Sequence, residues 1–70
     1  MKLELNHIFE KLLVMYGSYA ASASALGYTP RHYRELRLRA ENGQLINPRI
    51  ESNIRSRYQN LKTLYRRRKG

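Results

Sequence analysis

Two dipeptides constrain this 70-residue chain more than anything else in it: Thr29-Pro30 and Asn47-Pro48. Each places a side chain that accepts from backbone N–H groups directly before a proline. Proline fits the first turn of a helix, where its missing N–H costs nothing, and is excluded from a helix interior. Both dipeptides therefore read as helix starts. Gly17, Gly27 and Asn42-Gly43 supply stops of the complementary kind, because glycine and asparagine tolerate the left-handed conformation that ends a helix. This punctuation cuts the chain into four helices, and no alternating strand pattern competes with it.

The first helix is expected from about Asn6, as N-cap, to Tyr16. Leu5, Ile8, Phe9, Leu12, Met15 and Tyr16 recur at helical spacing, and Leu13 widens the stripe. The second runs from Ser18, a cap, to Leu26. Its Ala20–Ala25 run of small residues lets a neighbouring helix approach closely, and Tyr19 and Leu26 share a face with Ala23. The third runs from Thr29-Pro30 to about Glu41, with Tyr33, Leu36 and Ala40 on its inward face. The fourth runs from Asn47-Pro48 to about Arg68, with a stripe of Ile50, Ile54, Tyr58, Leu61, Leu64 and Tyr65 into which Arg57 intrudes. The Arg66–Lys69 end reads as a basic tail that frays. The expected fold is all-α: one small four-helix domain with a long C-terminal helix.

The net charge of +9 is unevenly placed. Lys2 and Lys11 balance Glu4 and Glu10 before residue 29, so the whole excess falls in the second half, mostly as arginine. Arginine pairs bidentately with phosphate and with guanine. A neutral half followed by a basic half suggests a scaffold joined to a surface that meets a polyanion. There is no cysteine, so a disulfide framework and a thiolate metal site are excluded. Together with the absence of an apolar run of membrane-spanning length and of signal-peptide order, this predicts a soluble, cytoplasmic, nucleoid-associated protein.

The window Gly17–Leu36 resembles the helix-turn-helix of bacterial and phage regulators. Ala23 stands four residues before the turn glycine, where a larger side chain collides with the second helix of the motif. Leu26 precedes Gly27, and Tyr33 and Leu36 fall six and nine residues after it. The Ala23–Gly27 run and the Gly17–Gly27 spacing are similar to the Fis type. Ser22 departs from its double alanine, and the added fourth helix makes a Cro-like arrangement an equal match. The likeness covers roughly residues 17–38.

The resemblance implies double-stranded DNA as partner, with the third helix in the major groove. The helix itself supports this, since Arg31, Arg34, Glu35 and Leu38 lie opposite Tyr33 and Leu36. Arg31 and Arg34 are then candidates for guanine, Glu35 for cytosine, and Thr29 for a thymine methyl or a phosphate. Arg37 and Arg39 flank that face and suit the DNA backbone. Ser18 and Tyr19, at the positive end of the second helix, and His32 are further phosphate candidates. His7 reads as structural, and two separated histidines make no metal site. Tyr16, Tyr33, Tyr58 and Tyr65 are expected in the core.

No arrangement for catalysis, cofactor or small-molecule binding is visible. The expectation is a transcriptional regulator, a repressor by default. Its apolar first helix offers more surface than two short alanine-rich helices cover, which predicts a homodimer through the first helix, the fourth helix or both. Two other readings stand beside it: RNA binding through the basic fourth helix, and a phage-encoded inhibitor that binds a host protein through the first helix.

Overall fold

The computed structural model describes residues 4–69. Lys2, counted in the neutral first half, lies outside them, as do the side chains of Arg68 and Lys69 in the basic tail. The chain is all-α: α1 spans Leu5–Tyr16, α2 Tyr19–Leu26, α3 Pro30–Glu41 and α4 Pro48–Lys69. No strand occurs among the described residues.

The first helix begins earlier than its capping signal suggested. Glu4 is the N-cap, without a side-chain bond, and its carbonyl accepts from the amides of His7 and Ile8. Starting there brings Leu5 into the helical stripe and buries it with Ile8, Phe9 and Leu12. Asn6 is consequently not a cap. Its side-chain amide donates instead to the Ala40 carbonyl on α3, at 3.4 Å. At the other end Gly17 takes a left-handed φ of 82° and its N–H returns to Leu13. The remaining starts follow the sequence signals. Ser18 Oγ accepts from Ala21 N, Thr29 Oγ1 from His32 N, and Asn47 Oδ1 from Arg49 N.

The helix α1 packs on all three others, and α2 joins it against both α3 and α4. By contrast the backbones of α3 and α4 do not approach closely; buried Ile46, in the connection between them, lies with side chains of both helices along the cleft that separates them. The core is Leu5, Ile8, Phe9, Leu12, Ala23, Leu26, Tyr33, Leu36, Ile46, Ile54 and Tyr58. Phe9 meets the Tyr33 ring edge-on at 5.2 Å.

Burial departs from the sequence stripes at helix ends. Tyr16 and Tyr65 are only half-buried, and Leu64 is 55% exposed. The cause is length: α4 has 22 residues against 12 in α1 and 8 in α2, so its last turns outrun their cover. Tyr19 is exposed rather than anchored beside Leu26. Arg57, which intruded into the α4 stripe, is exposed and reaches toward the end of α2 at Gly27. That position places a cation at a helix C-terminus, where the dipole favours it. No helix among the described residues is long and apolar enough to cross a membrane.

Candidate nucleic-acid interface

The candidate surface is built on the junction between α2 and α3. Gly27 adopts φ 84°, ψ 24°, and the amide of Tyr28 reaches back to the Ala23 carbonyl at 2.9 Å while that of Gly27 bonds Ser24. This double return satisfies the last carbonyls of α2 and turns the chain sharply. Tyr28 then locks the turn from the side. Its hydroxyl accepts from Asn53 Nδ2 on α4 at 3.0 Å, and its ring stands edge-on to His32 at 5.2 Å. Thr29 and Pro30 start α3 immediately afterwards.

Close approach of α2 and α3 depends on small side chains. Ala23 and Ser22 are both wholly buried. Ser22 stays inside because its Oγ donates to the Ser18 carbonyl at 2.8 Å. Opposite them, Tyr33 and Leu36 are the buried pair of α3. Burial pushes the Tyr33 hydroxyl up to about 12, against the opposing pull of the Arg37 charge and the neighbouring Ser22 hydroxyl. Among the described residues no group bonds the Tyr33 hydroxyl with good hydrogen-bond geometry.

The opposite face of α3 is open. Arg31, Arg34, Glu35 and Leu38 are all exposed, as is Arg39 on one flank. Leu38, 43% exposed, is the addition that the structure makes to the candidate residues. Its place on this face was legible from helical spacing, but an apolar side chain gave no polar chemistry to single it out. A leucine there is suited to a thymine methyl. None of Arg31, Arg34 and Arg39 has a hydrogen-bond or ion-pair partner among the described residues, whereas Arg55 pairs with Glu51 at 3.1 Å.

Arg37 and Arg39 lie on the two different flanks of α3 that helical spacing gives them. Arg39 lines a cleft with His32, Glu35 and Asn47 at the start of α4. Arg37 is half-buried on the other side, its guanidinium 3.6 Å above the Tyr19 ring. Its Nε is buried and has no hydrogen-bond partner among the described residues. The stack ties the start of α2 to α3, and so sets where Ser18 and Tyr19 stand relative to the open face. Ser18 and Thr29 keep their hydroxyl protons available: each Oγ accepts a backbone N–H, which leaves the O–H as a donor.

Neither histidine belongs to a cluster of metal-binding side chains among the described residues. His7 is exposed on the rim of a groove between α1 and α4. No family model, curated protein or solved structure matches the chain.

Proposed function

We propose that the protein binds double-stranded DNA sequence-specifically, with α3 in the major groove, and acts as a transcriptional regulator. One observation carries the reading. A helix held from behind by Tyr33 and Leu36 displays Arg31, Arg34, Glu35 and Leu38 on its free face, with Arg31 and Arg34 unpaired among the described residues. That set combines guanine donors, a cytosine acceptor and an apolar contact for thymine on one helix, as base readout requires. Exposed arginines on a chain of net charge +9 are also placed to neutralise phosphates. Ser18, Tyr19, Thr29, His32 and Arg39 border this face and fix position rather than sequence. Arg37 acts by holding Tyr19.

Selection of bound sequences from random duplex DNA tests the reading. The preferred duplex should bind about 10³-fold or more tighter than a scrambled one at matched salt. Arg31→Ala and Arg34→Ala should each lose about 1–3 kcal/mol of that preference. Arg67→Ala should weaken all duplexes alike. Equal binding to every duplex would replace the regulator with an architectural DNA-binding protein. Preference for hairpin RNA would replace duplex DNA altogether. A palindromic consensus would report two copies of the chain per site.

A further inference from the structure

Beside α3 the molecule carries a second surface that the DNA reading does not use. Between α1 and the C-terminal half of α4 runs a groove of about 680 Å³. Val14, Met15, Tyr58 and Tyr65 line it. Tyr58 is buried at its floor, Met15 and Tyr65 are half-buried, and Val14 stands 81% exposed at its edge. The charged side chains around these are Lys11 on α1, Lys62 and Arg66 on α4, and a single carboxylate, Glu10. No residue of α3 takes part.

We propose that this groove docks an acidic amphipathic helix of a partner protein. The apolar lining between two helices fits side chains projecting at i, i+3 or i+4 and i+7 from a third. Three cations against one carboxylate select a helix whose flanks carry Asp or Glu. A second copy of the chain is the poorer occupant, because it would bring the same three cations and one carboxylate to the interface. The exposed apolar surface that the sequence reading gave to a homodimer therefore has a rim suited to a different partner. This inference does not rest on the reading of α3.

The test uses the full chain and a designed helical peptide with leucines at i, i+4 and i+7 and glutamates on both flanks. A second peptide replaces the glutamates with lysines. Fluorescence anisotropy near physiological salt should show saturable binding of the acidic peptide and none of the basic one. Val14→Ser combined with Lys62→Gln should weaken binding about tenfold or more. Val14 is exposed and Lys62 holds its ammonium 5.9 Å from the buried Tyr58 ring, so circular dichroism checks that the variant keeps its fold. The double variant Arg31→Ala with Arg34→Ala removes two charges outside the groove and should bind the peptide as before. An equal loss there would mean that the peptide follows net charge, and overturns the proposal. So does absence of saturable binding. So does self-association in sedimentation that the Val14 variant abolishes, which would assign the groove to a second copy.

Discussion

Tyr33 carries two loads that pull in different directions. Its ring fills the space between Phe9 and the small residues of α2, while its buried hydroxyl lacks a well-formed bond. An unsatisfied buried polar group is destabilising, and removing it can be neutral or favourable when the shape is kept. Tyr33→Phe should therefore leave stability unchanged or raise it by up to about 1 kcal/mol in urea melts near neutral pH. The pH dependence gives an independent check. The folded hydroxyl titrates near about 12 against an ordinary value of 10.0. Stability from this group is complete below the unfolded value. It falls as pH rises from the unfolded to the folded value, because only the unfolded chain then loses the proton. Over that window Tyr33→Phe should lose less stability than the parent chain. Parallel pH curves for the two proteins would show that the hydroxyl is not held in its neutral form. Tyr33 and Leu36 were legible in the sequence because spacing fixes where a Cα–Cβ bond points. Arg37 was not, because spacing does not fix where a long side chain ends, and its guanidinium folds back onto Tyr19.

The elements show the same division between local and non-local causes. Starts and stops set by one residue were readable: Ser18, Thr29 and Asn47 cap as their side-chain chemistry dictates, and Gly17 and Gly27 turn left-handed. The start of α1 was misplaced because Asn6 can cap a helix equally well in isolation. Burial of Leu5 decided against it, and burial is a property of the assembled molecule. Likewise the stripe on α4 gave no sign that α1 and α2 end before it does. Gly27 offers a test of the turn that separates strain from crowding. A Cβ built there meets only the Arg57 guanidinium carbon, at 4.0 Å, which is ordinary contact. Any cost of Gly27→Ala is thus conformational, about 1–2 kcal/mol for an L-residue at φ 84°. Gly27→Asn should cost less, since asparagine tolerates this region better. Thermal melts of both variants decide the matter, and equal large losses would mean that space at the turn is the limit.

At the scale of the whole molecule, charge acts against the fold and for the proposed function. The described residues extend 37 × 27 × 17 Å, and the chain carries a net charge of +9. Few carboxylates are available to offset it, and Glu51 is paired within α4. Raising salt from about 20 to about 300 mM shortens the screening length from about 20 Å to about 6 Å. At the lower value cations on different helices repel one another across the molecule; at the higher only neighbours do. The free protein should therefore gain a few degrees in melting temperature over that range, as self-repulsion is screened. Duplex affinity should move the other way and fall by more than tenfold, because counterions displaced by phosphate contacts gain less entropy when they are released into saltier solution. The opposite signs are the diagnostic. A protein whose arginines merely solvate its surface would show the first effect without the second. A melting temperature that falls with salt would instead mean that its charges are paired favourably, and would remove the reason to expect Arg31 and Arg34 to be free for a polyanion.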